Sequence, residues 1–215
     1  MTILKKIVGF AGLCFALLGA GYVQAQEAPD ALIKRISTEV LETAKTDKEI
    51  QRGNMQRVLE VVEDKVFPHV NFQRMTALAA GRHWREASPE QRKQLTDEFR
   101  SLLVYTYSGA IAQVKDERIE FRPSRFSPSD TDVEIRTQII QSRGEPLPLS
   151  YRLHQTPDGW KIYDVNVLGA WLVETYRGNF NTEIGRGGID GLIKSLSERN
   201  QRLAASAASS STAKR

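Results

Sequence analysis

Asp164, set between Tyr163 and Val165 in a strand-like segment, is the first residue to test for chemistry. A carboxyl buried there would have a raised pKa and could act as a base, with Tyr163 or His154 as acid–base partner. The structural reading is that it accepts backbone or tyrosine hydrogen bonds at a strand end. The three histidines, His69, His83 and His154, stand in no metal-ligand spacing with each other, with cysteine or with paired acids. No G-x-S-x-G elbow, Walker loop or dinucleotide fingerprint is present. Gly185-Arg186-Gly187-Gly188, ahead of a helical pattern, could hold a phosphate on backbone N–H groups or act as a hinge or cap. Arg122, Arg136, Arg143 and Arg152 fall on the polar side of strand patterns with Glu120 and Glu134 among them. That is a mixed solvated face or a docking surface.

The elements that must position these groups are legible from hydrophobic period. Leu32, Ile33, Ile36, Val40 and Leu41 recur at helical spacing, and Met55, Val58, Leu59, Val62 and Val66 repeat the pattern. The second helix should stop before Phe67-Pro68. Asn71 is a cap for a short helix carrying Phe72, Met75 and Leu78, which Gly81 would end. Ser88-Pro89-Glu90-Gln91 reads as N-cap, proline at N1 and capping-box glutamine. The helix it starts runs to about Val114, with a stripe of Leu95, Phe99, Leu102, Leu103, Thr106, Ala110 and Val114. After Lys115 the period falls to two. Ile119 and Phe121, then Val133, Ile135 and Ile139, then Leu147, Leu149, Tyr151 and Leu153 alternate with polar residues. These are strands with one wet face. Trp160 to Val167 is apolar on both sides, so its outer face should be covered. Two further helices, Ala170 to Phe180 and Ile189 to Leu203, flank the glycine run. The order predicts an α+β fold, with helices packed on one face of a twisted antiparallel four-stranded meander and the long helix facing the sheet with Phe99, Leu102, Leu103 and Tyr107.

Residues 1–25 read as a cleaved secretory signal peptide: Lys5 and Lys6, an apolar core from Ile7 to Leu18, and Val23-Gln24-Ala25 as cleavage site. The core is too short to span a bilayer. Cleavage removes the only cysteine, Cys14, and two of the 30 basic residues, leaving 28 against 26 acidic. A charge of +2 and export both argue against nucleic acid as a partner. A single domain is expected over residues 26–203, followed by a disordered Ala/Ser-rich tail at 204–215.

The segments Phe67-Pro-His-Val-Asn-Phe72, Ser88-Pro-Glu-Gln-Arg92, Leu103 to Gln113, Gly159 to Phe180 and Gly188-Ile-Asp-Gly-Leu192 occur in an order that resembles the MlaC-type periplasmic phospholipid-binding proteins, also called toluene-tolerance auxiliary proteins. The resemblance covers roughly residues 31–199. It implies that the helices and sheet enclose an apolar lipid cleft. It also implies a monomeric periplasmic carrier, not an enzyme, with no cofactor beyond phospholipid as cargo. Implied partners are an inner-membrane ABC transporter complex with an MCE-domain protein and an outer-membrane lipoprotein–porin complex, in the service of outer-membrane lipid asymmetry. By motif and strand face, the expected lipid-binding residues are Val70, Phe72, Met75, Phe99, Leu102, Leu103, Tyr107, Ile111, Phe121, Ile135, Ile139, Leu149, Tyr151, Val165, Val167 and Trp171. The alternatives are a nuclear-transport-factor-like acid–base enzyme built on Asp164 and a ligand-free periplasmic adaptor.

Overall fold

Side-chain caps start most of the helices. The computed structural model describes residues 26–212, so the expected signal peptide lies outside the described residues. Helix α1 (Pro29–Thr46) opens on a proline at N1. Asp47 accepts from the backbone N–H groups of Glu49 and Ile50 to start the one-turn α2 (Lys48–Gln51), and Asn54 caps α3 (Met55–Lys65). A 3₁₀ turn at Phe67–His69 takes up the Phe-Pro step. Asn71 caps α4 (Phe72–Ala80), which ends at Gly81. The one-turn α5 (His83–Glu86) leads into α6 (Pro89–Ile111), whose capping box is complete. Ser88 N–H donates to Gln91 Oε1 at 3.0 Å, and Gln91 N–H donates to Ser88 Oγ at 3.2 Å. At 23 residues α6 is roughly 35 Å long.

Five antiparallel strands follow in the order β1 (Arg118–Phe121), β2 (Asp132–Ile140), β3 (Leu147–Thr156), β4 (Gly159–Val167) and β5 (Ala170–Trp171). The meander expected with four strands thus gains a fifth, two residues long. It pairs with the end of β4 through a two-residue turn, Leu168-Gly169, in which both residues have positive φ (53° and 90°). A strand this short carries no alternation to read.

Strand β4 is not apolar on both sides, although none of its residues is exposed. Leu153 pairs with Ile162 and Arg152 with Asp164, leaving Tyr163 as a bulge residue. The bulge inverts the alternation. Trp160 and Ile162 before it, and Val165 and Val167 after it, all pack toward the helices. Asp164 turns to the Arg152 side.

Helix α7 (Leu172–Thr212) bends at Gly187 and Gly188, which carry non-helical torsions. Gly188, at φ 67° and ψ −169°, occupies a region essentially closed to other residues. The glycine run is therefore the bend between the two helices expected there. The second limb runs on to Thr212, into the Ala/Ser segment expected to be disordered; alanine is the strongest helix former.

Three apolar clusters hold the fold. Leu32, Ile33 and Ile36 of α1 pack on Val133, Ile135, Leu153, Trp160 and Ile162 of the sheet. Ala44, Ile50, Val58, Val61 and Val62 join α1, α2 and α3, with Val104 and Ile111 of α6 against them. The third joins α4, α6 and α7. In it Phe99 meets Tyr176 and Phe180 edge-on, with ring centroids 4.9 and 5.0 Å apart. The Phe99 stripe of α6, expected against the sheet, thus faces mainly another helix.

Candidate functional site: an apolar cavity beneath helix α1

Between α1, the end of α6 and the helix-facing side of the sheet lies a cavity of about 280 Å³. Helix α1 supplies Ile33, Ile36, Ser37, Val40, Leu41 and Ala44. Val66, Ala110, Ile111 and Val114 close one side, and Arg118, Ile119, Ile139, Leu149, Tyr151 and Ile162 form the sheet side. The cavity runs from Ile33 and Ile162, both buried, to Arg118, whose side chain is 70% exposed. Arg118 lies 3.4 Å from Glu120.

Three of the sixteen lining residues are polar: Ser37, Tyr151 and Arg118. Ser37 and Thr137 lie beside the Tyr151 hydroxyl, and Thr137 Oγ1 donates to the Leu149 carbonyl at 3.0 Å. Burial raises the Tyr151 pKa above its ordinary value, so the phenol stays neutral at physiological pH. A wall of this kind offers apolar contact and no acid–base pair, which suits a hydrocarbon chain.

Four of the residues expected to bind lipid line this cavity: Ile111, Ile139, Leu149 and Tyr151. The others lie elsewhere. Met75, Phe99, Leu102 and Leu103 are buried in the α4–α6–α7 cluster, with Phe72 and Val167 against it. Val70 and Val165 touch both that cluster and the α1–sheet one, and Ile135 is buried in the latter, with Phe121 against it. Tyr107 is exposed, and Trp171 lies beneath Arg152, whose guanidinium carbon is 3.7 Å from the ring centroid. The α1 residues and Ile119, Val66 and Val114 were missed as a site, although their helical and alternating patterns were visible. Helical spacing marks the apolar stripe of α1 without saying what lies against it.

The acid–base candidates are placed differently. Asp164 is 2% exposed. Its Oδ1 accepts from Val165 N–H at 2.9 Å and from Val173 N–H in the first turn of α7 at 3.0 Å. Its Oδ2 is 3.5 Å from Arg152. The carboxylate therefore caps α7 from a neighbouring strand. Burial raises its pKa, with the Val173 and Val165 amides and then Arg152 acting against the rise. Tyr163 lies under the Arg74 guanidinium, 4.1 Å away, with His154 edge-on to it at 5.7 Å. His154 Nε2 is 3.0 Å from Asn71 Nδ2, and His83 Nδ1 is 3.0 Å from Glu86. The pKa values of His69 and His154 are lowered, mainly by burial. Of the four arginines, Arg122 donates to Gln138, Arg136 pairs with Glu134 and Arg152 with Asp164. Arg143 falls in the β2–β3 connection. The mixed polar face is the arrangement seen.

Comparison with known proteins bears on the same fold. The intermembrane phospholipid transport system binding protein MlaC of Haemophilus influenzae is 26% identical over 180 residues, covering 82% of this chain and 80% of that protein. The Pseudomonas putida toluene tolerance protein ttg2D is 22% identical over 167 residues, 77% of each. A phospholipid-binding protein from Ralstonia solanacearum, solved in complex with a phospholipid, is 43% identical and superposes with a TM-score of 0.78 over 81% of this chain and 98% of that one. The family model described as MlaC protein matches residues 34–198, nearly all of the α+β domain that carries the cavity, and the chain belongs to that family.

Proposed function

We propose that this protein is a periplasmic phospholipid carrier that holds acyl chain in the cavity between α1, the end of α6 and the sheet. The observation that carries the reading is the lining: thirteen of sixteen residues are apolar, and the one charge stands at the exposed end. The phospholipid-bound Ralstonia relative and the naming of the Haemophilus protein for intermembrane phospholipid transport support it.

The energetics fit a shuttle. Each methylene withdrawn from water is worth about 0.8 kcal/mol, so roughly 30 methylenes represent on the order of 20 kcal/mol. A bilayer gives nearly the same burial. Transfer between bilayer and pocket is then close to balanced, and direction must come from partners. We take these to be an inner-membrane ABC transporter complex with an MCE-domain protein and an outer-membrane lipoprotein–porin complex, working to maintain outer-membrane lipid asymmetry. A cavity of about 280 Å³ sits at the lower edge of the ~300–1,000 Å³ typical of ligand pockets, so loading a whole lipid requires it to widen.

The test is uptake of labelled phospholipid from vesicles by delipidated mature protein, comparing the parent with Val40→Asp and Leu149→Asp. A charge at either wall should cut uptake about tenfold or more, since an unpaired carboxylate in an apolar site is strongly disfavoured. Unchanged uptake in both folded variants would place the lipid elsewhere.

A further inference from the structure

A second concavity, of about 960 Å³, lies between the α4–α5 corner and the first limb of α7. It shares no residue with the apolar cavity. The two sit at opposite ends of α6: the corner leads into Pro89, whereas the cavity uses Ala110 and Ile111, roughly 30 Å along the helix.

The floor of this groove is apolar, with Leu78 and Ile184, and its rim is basic, with Arg82 and Arg85 on the corner and Arg177 on α7. No aspartate or glutamate lines it. Of the acids close in sequence, Glu86 is engaged with His83 at 3.0 Å and Glu183 with Arg186 at 3.1 Å, while Glu174 stands one turn before Arg177 on α7, outside the lining. Among the described residues, none of the three rim arginines has an ion-pair partner. Arg177 is nonetheless positioned, because its Nε donates to the Leu78 carbonyl at 3.2 Å. The corner is braced from behind: Arg92 Nε donates to the Trp84 carbonyl at 2.9 Å, with its guanidinium 5.6 Å from the Trp84 ring. Glycines stand at both walls, and a Cβ at Gly81 or Gly185 would meet nothing within 4 Å, so the groove is open above them.

The shape selects among anionic partners. A flat bilayer would touch the rim and miss the floor, whereas a peptide reaches both. From Arg177 to Ile184 the groove follows α7 for roughly 10 Å, the length of about three extended residues. We propose that this groove docks an acidic, amphipathic segment of a partner protein, with apolar side chains on Leu78 and Ile184 and carboxylates on Arg82, Arg85 and Arg177. Charge complementarity of this kind sets orientation and partner choice. Because the groove is remote from the cavity, a partner docked there leaves the cavity free to exchange its contents. The assignment stands on the groove alone and does not depend on what the cavity holds.

The experiment is selection of short random peptides by display on the mature protein, followed by calorimetric titration of those recovered. The expected peptides interleave Asp or Glu with large apolar residues, and their affinity rises as salt is lowered. The double variant Arg82→Glu/Arg85→Glu should weaken them about tenfold or more while its cavity contents, weighed by native mass spectrometry, stay as in the parent. The milder Arg82→Gln/Arg85→Gln pair should give a smaller loss in the same direction, which covers any folding defect of the first. Recovered peptides without acidic enrichment, or equal affinity for parent and variants, would overturn the proposal. Vesicles containing phosphatidylglycerol that sediment the parent but not the variants would also overturn it, assigning the groove to a membrane surface.

Discussion

Asp164 shows how one carboxylate can be committed to architecture. Its Oδ1 serves two backbone amides, one on its own strand and one on α7, so Asp164→Ala would leave both donors without their partner. Removing it should cost about 1–3 kcal/mol in urea unfolding. Asp164→Asn keeps an acceptor oxygen and should cost much less. The pH dependence separates charge from geometry. With its folded pKa raised by burial, the group contributes stability that is complete below the ordinary carboxylate range and is lost as pH rises through the folded value. The Asn variant lacks that titration, so it should gain stability relative to the parent as pH rises through this window. Parallel curves for the two proteins would contradict the assignment. The raised pKa and the structural role of Asp164 were both readable from a polar residue in an apolar strand. The partner amide at Val173 was not, because only the fold brings α7 back to β4.

At the scale of elements, backbone geometry decides what the hydrophobic pattern leaves open. Gly188 lies where other residues are strained, yet a Cβ there meets nothing within 4 Å. Gly188→Ala should therefore cost about 1–3 kcal/mol from backbone strain alone, and Gly187→Ala, at φ −140°, should cost less. Equal losses in thermal or urea unfolding would mean that the bend is not fixed by Gly188. The caps at Asn71 and Ser88 and the stop before Phe67 were plain in the sequence because they rest on contacts within a few residues. The Tyr163 bulge was not, since an extra residue in β4 is defined only against its partner β3. Alternation without a register made β4 look apolar on two sides.

For the whole molecule, the α+β meander under helices was legible, and the location of the cavity much less so. Periodicity identifies apolar stripes but not which stripes face each other. The stripe of α6 through Phe99 and Leu102 was paired in expectation with the sheet; in the fold it meets α7, and α1 covers the sheet instead. Of the residues expected to bind lipid, Ile111, Ile139, Leu149 and Tyr151 line the cavity. The resulting molecule has an apolar cavity at one end of α6 and a basic groove at the other. The direct test of phospholipid carriage is native mass spectrometry of mature protein that has been delipidated and then incubated with phospholipid vesicles, with organic extraction of what is bound. About one phospholipid per chain is expected in the parent, with sharply reduced occupancy in folded Val40→Asp and Leu149→Asp. A parent that stays at the mass of the bare polypeptide would contradict phospholipid carriage.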